Sequence, residues 1–95
     1  MEVRPKEEID KFIRKHRDTK GPLGAWYKEA KSTTWRTSID IKNKYSSVSF
    51  LEKNYVIFNI KGNKYRLVTK VAYKMGVVYI KWFGTHAEYD KKRFP

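Results

Sequence analysis

The amino-acid sequence predicts an α+β domain in which two N-terminal helices pack on one face of a small, mainly antiparallel β-sheet. Three observations support this fold class. Apolar residues recur at helical spacing in the first third of the chain, whereas Tyr55–Ile60 is rich in β-forming residues and Tyr65–Tyr73 has the two-residue alternation typical of a strand. Short turns containing glycine join the strand-like segments, so consecutive strands should pair as hairpins. The 95 residues fit a single domain, residues 1–95.

The N-terminal region predicts two helices joined by a short turn. The first begins near Pro5, and its apolar face has the i, i+3, i+4, i+7 spacing of Ile9, Phe12, Ile13 and His16. We expect Lys20-Gly21-Pro22 to end it, because glycine commonly follows a helix and proline suits the first turn of the next. The second helix repeats the spacing with Leu23, Trp26, Tyr27 and Ala30, which favours core packing for its aromatic residues. Trp35 is compatible with either core packing or base stacking.

The second half of the chain predicts strands. Residues 33–47 lack periodicity and predict a loop with a helical turn near Ile39-Asp40-Ile41. Strands are expected at Tyr55–Ile60, Tyr65–Tyr73 and Val77–Phe83. In the first hairpin turn, Lys61–Lys64, glycine and asparagine tolerate positive φ. Thr85 and Glu88 have the spacing of a capping box for a short C-terminal helical turn, and the basic tail, residues 91–95, is expected to fray.

The charge balance directs the protein towards polyanions. Lys and Arg number 22 against 10 Asp and Glu, a formal net charge of +12. Nucleic acid, an anionic membrane surface, an acidic protein or a merely solvated surface would each be consistent with that balance. The chain has no cysteine, no glycine-rich phosphate loop and two histidines, so we expect no disulfide, no metal site and no cofactor. The charged N-terminus is unlike a secretory signal and no apolar run is long enough to span a bilayer, which predicts a cytoplasmic protein without a membrane partner.

Two groups of residues could carry chemistry. In the strand Tyr65–Tyr73, alternation directs Leu67 and Val71 to one face and Arg66 and Lys70 to the other, where Lys64 would extend a cationic stripe. Such a stripe suits a phosphodiester and its transition state, although a solvated sheet face has the same pattern. His86 and Tyr89 stand at i and i+3 of the C-terminal helical turn and should share one face. They could exchange protons or simply cap the terminus.

Two strings near the C-terminus carry a family resemblance. Phe58–Val68 contains FNxxGNKYRLV and Gly84–Asp90 reads GTHAEYD, and the helical half agrees through Pro22-Leu23 and Trp26–Ala30. On these motifs the chain resembles the HigB family of toxins, within the RelE-like superfamily. The resemblance implies a sheet packed against N-terminal helices, with a short strand at Met1–Arg4.

The resemblance also implies an activity and partners. RelE-like toxins are mRNA endonucleases that commonly act on message in the ribosomal A site, and they cut through attack of the ribose 2′-OH on the adjacent phosphate without a metal ion. The implied partner is a HigA-type antitoxin with a helix-turn-helix domain. Their complex represses its own operon, so operator DNA would be contacted only through that complex.

The resemblance assigns roles to several residues. Arg66 matches the strand arginine that stabilises the transition state, and His86 and Tyr89 fall in the segment that supplies acid, base or orienting groups. The RNA-binding residues it implies are Lys64, Lys70 and Lys81, the last only if its side of the final strand is open. No glutamate stands out as a general base, so the acid and base stay unassigned. The alternatives are a non-catalytic RNA-binding module and a domain that binds an acidic protein.

Overall fold

The computed structural model describes residues 1–94, and it confirms the predicted α+β fold. In chain order the elements are β1 (Glu2–Arg4), α1 (Lys6–Lys15), a 3-10 helix (Arg17–Thr19), α2 (Lys20–Ser32), α3 (Ser38–Lys44), β2 (Ser49–Phe50), β3 (Tyr55–Ile60), β4 (Tyr65–Ala72), β5 (Val77–Thr85) and α4 (His86–Asp90). The strands form one sheet of order β1-β5-β4-β3-β2. Within residues 1–94, no helix has the length and apolar character needed to cross a membrane.

The sheet is antiparallel except at one edge. β2 to β5 pair as antiparallel neighbours, whereas β1 runs parallel to β5 with Val3 opposite Val78. The short N-terminal strand implied by the family resemblance is therefore confirmed at Glu2–Arg4. Two parallel strands need a long connection between them, and α1 and α2 lie in the chain that connects β1 to β5. Both helices consequently pack on one face of the sheet and leave the other face without a helical cover.

The core lies between the helices and the sheet. The helical side contributes Ile9, Leu23, Trp26, Ala30 and Ile41, and the sheet contributes Val56, Phe58, Leu67, Val71, Val78 and Ile80. Trp35 is 1% exposed and stacks on Phe58 with ring centroids 5.9 Å apart. This position resolves the alternative left open for Trp35, because a ring so enclosed packs in the core and cannot stack on a base.

The first helix boundary was predicted wrongly. α1 ends at Lys15, and the 3-10 helix Arg17–Thr19 separates it from α2. Lys20-Gly21-Pro22 is the first turn of α2 and not the end of α1. Proline is tolerated there because the first-turn N–H groups have no acceptor within the helix.

The segment predicted as a loop, residues 33–47, contains α3, and β2 follows it. The helical turn expected near Ile39-Asp40-Ile41 extends to the two turns of α3, and the backbone N–H groups of Arg36 and Thr37 donate to the Asp40 carboxylate at its start. β2 was not predicted, because its two residues are both exposed and give no alternation.

The hairpin turns fall where the sequence places them, with one correction. In the β3–β4 turn the residues with positive φ are Lys61 and Gly62, not Gly62 and Asn63. Between β4 and β5 the register shifts so that Val68 faces Trp82 and Thr69 faces Ile80. Lys81 is therefore the extra residue of a β-bulge within β5, a feature that bends the strand and re-aims its side chains.

Candidate functional site

The sheet surface away from the helices is the candidate site, and we call it the open face. The predicted alternation of β4 is confirmed, since Leu67 and Val71 belong to the core whereas Arg66 and Lys70 lie half-buried on the opposite side. The central pair of this face is apolar. Ile57 and Val68 are cross-strand partners, and they are buried although they lie outside the helix-side core.

Arg66 lies at the end of the open face where β4 begins. Its cross-strand neighbours are Asn59 on β3 and Gly84 on β5, so a small amide and a backbone flank the guanidinium. Nη1 of Arg66 donates to the carbonyl oxygens of Asn63, at 3.2 Å, and Tyr65, at 3.3 Å. Among residues 1–94 it pairs with no carboxylate. Nη2 and Nε make no hydrogen bond to the described residues, so both can donate to a phosphate in the bidentate geometry that guanidinium groups favour.

Gly84 allows two side chains to approach the backbone beside Arg66. A Cβ at this position would lie 2.5 Å from Cη2 of Trp82 and 2.8 Å from Oε1 of Glu88. The indole and the carboxylate therefore rest against the strand where β5 leads into α4. Any larger residue here would displace both of them.

The predicted C-terminal helical turn is confirmed as α4. Thr85 caps it, with Glu88 donating its backbone N–H to the hydroxyl and accepting from the Thr85 N–H at 2.8 Å. That backbone hydrogen bond lowers the pKa of Glu88, which makes this carboxylate a weak base. His86 donates its backbone N–H to the carbonyl of Lys64 at 2.9 Å, and its Nε2 lies 3.3 Å from Oδ1 of Asp90. The start of α4 is thereby joined to the β3–β4 turn.

Tyr89 packs in an aromatic group that reaches across the sheet. Its ring stacks on Phe94 at 5.8 Å, and Phe94 also lies 6.1 Å from Trp82 and 6.3 Å from Tyr55. Tyr55 and Trp82 belong to the strands on either side of β4, so Phe94 must lie over β4. The tail that we expected to fray thus holds one ring against the open face. Pro95, the last residue of that tail, lies outside the described residues.

Lysines accompany the aromatic rings of the open face. Three ammonium groups lie within cation–π distance of a ring, in the pairs Lys70–Tyr55 (5.7 Å), Lys81–Tyr79 (5.7 Å) and Lys92–Trp82 (5.6 Å). The bulge at Lys81 brings its ammonium to this group. Sequence reasoning missed the three rings and Lys92. The alternation of β5 could have indicated Tyr79, but the bulge hides Trp82 from any simple two-residue count.

Lys64 does not continue the cationic stripe along the open face. Its Nζ lies 2.6 Å from Oδ2 of Asp18, in the 3-10 helix on the other side of the sheet. Hydrogen bonding from Lys64, and then from Tyr65, holds the pKa of Asp18 well below its usual range. The expected stripe of three residues is therefore reduced to Arg66 and Lys70.

The site as a whole can bind and polarise a phosphodiester. Arg66 offers free guanidinium donors, α4 places an imidazole and a phenol at the same end of the sheet, and the lysine–aromatic pairs extend from there. Stacked rings beside cations suit single-stranded nucleic acid. Within residues 1–94, no group of three or more His, Cys, Asp or Glu side chains could hold a metal ion.

A comparison with protein families gives one match. Residues 19–92 match the family model HigB_toxin, described as a RelE-like toxic component of a toxin–antitoxin system. The matched span starts at the end of the 3-10 helix and finishes just after α4, so it includes Arg66, His86 and Tyr89. No curated protein matches the chain.

Proposed function

Since the chain belongs to the HigB family of RelE-like toxins, the toxic components of toxin–antitoxin systems, we propose that it is an endoribonuclease that cleaves mRNA on the ribosome and so inhibits translation. The observation that carries the proposal is the placement of Arg66. Its Nη2 and Nε make no hydrogen bond within residues 1–94, and it lies on the open face at the end joined to α4. The lysine–aromatic pairs give that face the character of a surface for single-stranded RNA.

In the proposed reaction the ribose 2′-oxygen attacks the adjacent phosphorus and the 5′-oxygen leaves. The products are a 2′,3′-cyclic phosphate and a 5′-hydroxyl, with one proton removed from the 2′-OH and one delivered to the leaving oxygen. Neither step needs a metal ion. Arg66 donates to the phosphate oxygens as negative charge accumulates on them, which stabilises the transition state relative to the bound substrate.

His86 and Tyr89 are the proposed acid, base or orienting groups. Asp90 lies 3.3 Å from Nε2 of His86 and can orient the imidazole. Tyr89 stacks on Phe94, and this contact restricts the orientation of its phenol ring. Glu88 is occupied in capping α4, which leaves His86 and Tyr89 to divide the two proton transfers.

Lys70 and Lys81 are the proposed RNA-binding lysines, and Lys92 joins them on the same surface. Lys64 would have to exchange Asp18 for a phosphate, so its contribution to RNA binding is secondary. The proposed partner in the cell is a HigA-type helix-turn-helix antitoxin, with operator DNA bound only through the toxin–antitoxin complex. The proposed action on ribosomes would take place in the cytoplasm.

Purified ribosomes programmed with a defined message test this function. We expect the wild-type protein to give reproducible cuts in the A-site codon when 5′ ends are mapped, and Arg66→Ala to give none while keeping its circular dichroism spectrum. Arg14→Ala is the matched control. It removes the same charge, and Arg14 is exposed in the last turn of α1. A folded Arg66→Ala variant that cleaves normally would remove Arg66 from the mechanism. Salt-sensitive RNA binding without cleavage by the wild type would favour the non-catalytic RNA-binding module.

A further inference from the structure

Three consecutive backbone carbonyls at the start of β4 bind two parts of the candidate catalytic site, the guanidinium of Arg66 and the first residue of α4. The oxygens of Asn63 and Tyr65 accept from Nη1 of Arg66, at 3.2 Å and 3.3 Å. The oxygen between them, that of Lys64, accepts from the backbone N–H of His86 at 2.9 Å. The direction of the guanidinium and the position of α4 therefore depend on how this short segment is fixed.

One carboxylate from the helix layer fixes the segment. Oδ2 of Asp18 accepts from the ammonium groups of Lys61, at 3.1 Å, and Lys64, at 2.6 Å. Oδ1 accepts from the phenol of Tyr65 at 2.9 Å. Asp18 thus contacts both ends of the β3–β4 turn and the first residue of β4. These contacts add to the packing of Tyr65 in the core and to the backbone hydrogen bonds of the turn.

The residues on either side of Asp18 are held by burial, a hydrogen bond and ring packing. The next residue, Thr19, is fully buried, and its hydroxyl donates to the carbonyl of His16 at 2.6 Å. The His16 ring in turn packs on Tyr65, with centroids 5.0 Å apart. The 3-10 helix is therefore anchored on both sides of the aspartate, and its carboxylate can hold the turn instead of following it.

We propose that Asp18 is a positioning residue for RNA cleavage, because it clamps the β3–β4 turn whose carbonyls aim Arg66 and seat His86. This inference rests on the function proposed above. Asp18 touches neither the substrate nor the reacting atoms. It acts through Lys61, Lys64 and Tyr65.

Removing the charge of Asp18 distinguishes a positioning role of this residue from a purely electrostatic effect on RNA binding. Asp18→Asn raises the net charge by one and releases two lysines, so a purely electrostatic role predicts equal or tighter RNA binding and undiminished cleavage. A positioning role predicts a lower kcat with KM for programmed ribosomes unchanged or reduced. Small misplacements of catalytic groups cost up to about 100-fold in rate, and we expect kcat to fall roughly 10- to 100-fold.

The experiment measures kcat and KM on programmed ribosomes for the wild type, Asp18→Asn, Asp18→Glu and Asp10→Asn. Asp10→Asn is the matched control. It removes the same charge, and Asp10 pairs with Lys6 on the exposed face of α1. Asp18→Glu keeps the carboxylate and should recover part of kcat. Tyr65→Phe removes a single contact of the clamp and should give a smaller loss, which keeps the test open if Asp18→Asn folds poorly.

A second measurement does not depend on cleavage. The side-chain Nε–H resonance of Arg66 and the backbone N–H of His86 can be followed by NMR, and both should shift or broaden in Asp18→Asn but not in Asp10→Asn. Unchanged resonances, or a folded Asp18→Asn variant with wild-type kcat, would overturn the clamp. If the wild type fails to cleave at all, the proposed function fails, and the NMR comparison still decides whether Asp18 positions Arg66 and His86.

Discussion

The indole of Trp82 lies against the backbone of Gly84, beside the position where β4 carries Arg66. An added Cβ at Gly84 would come within 2.5 Å of the ring. The ring cannot swing away freely, because Tyr89 and Phe94 pack against it from the open face. Gly84 is therefore required for close packing and not for an unusual backbone conformation.

Gly84→Ala should destabilise the protein. Forcing a methyl group into a filled site typically costs about 1–3 kcal/mol, and here the Trp82 ring and the Glu88 cap would both have to move. Urea unfolding followed by circular dichroism measures the free energy of unfolding. Gly24→Ala is the control: Gly24 lies in α2 with nothing within 4 Å of the added Cβ, so this change should stabilise by roughly 0.5–1 kcal/mol. Equal stability of the two variants would contradict the packing described for Gly84.

The sequence predicted those parts of the fold that depend on local pattern. Core residues of β4 alternate with open-face residues, although Val68 on the open face is also buried, and the placement of Arg66 and Lys70 away from the helices followed from this alternation. The Thr85 and Glu88 capping box involves neighbours in sequence and was equally visible. The end of α1 was missed because Gly21 and Pro22 suit the start of a helix as well as the residues after one.

The parts that escaped prediction depend on contacts between distant residues. Asp18 and Lys64 lie 46 residues apart in sequence, and no local pattern indicates that this lysine faces the helix layer. The bulge at Lys81 depends on the register between two strands. Phe94 in a charged tail gave no periodicity, although its ring completes the aromatic group on the open face.

Phe94→Ala should expose Trp82. The other two tryptophans, Trp26 and Trp35, are buried in the core and should not respond to the tail. We expect a red shift of tryptophan emission and stronger acrylamide quenching in Phe94→Ala, with little change in the free energy of unfolding. Phe50→Ala is the control, since Phe50 lies in β2 at the edge of the sheet and is 39% exposed. If the emission and quenching of Phe94→Ala match the wild type, Phe94 does not cover Trp82 in solution.

Lys70→Ala and Lys81→Ala should each weaken RNA binding in a salt-dependent manner. If each ammonium contacts one phosphate, its loss makes the plot of the logarithm of the binding constant against the logarithm of the salt concentration less steep, by about 0.7 for single-stranded RNA. Binding of a short RNA oligonucleotide at several salt concentrations measures the slope. Lys28→Ala is the control, because Lys28 is exposed on α2, away from the open face. A slope reduced as much by Lys28→Ala as by the other two would show that the open face has no preferred role.

The clamp at Asp18 should make stability depend on acidity. Its hydrogen bonds hold the pKa of Asp18 below the unfolded value of about 3.9, so the unfolded chain binds a proton more readily than the folded one. The stabilisation by this carboxylate is therefore complete above the unfolded pKa and declines as the pH falls towards the folded pKa. Between pH 6 and pH 3 the wild type should lose more stability than Asp18→Asn, which has already lost the group that titrates.

Thermal unfolding of both proteins across that pH range checks the sign. Glu88 also has a lowered pKa, but both proteins keep it, so its contribution cancels in the difference between them. Asp10→Asn should follow the wild-type curve closely, because its exposed pair with Lys6 contributes little to stability. If the curves of the wild type and Asp18→Asn stay parallel from pH 6 to pH 3, the carboxylate of Asp18 is not held by Lys61, Lys64 and Tyr65 in solution.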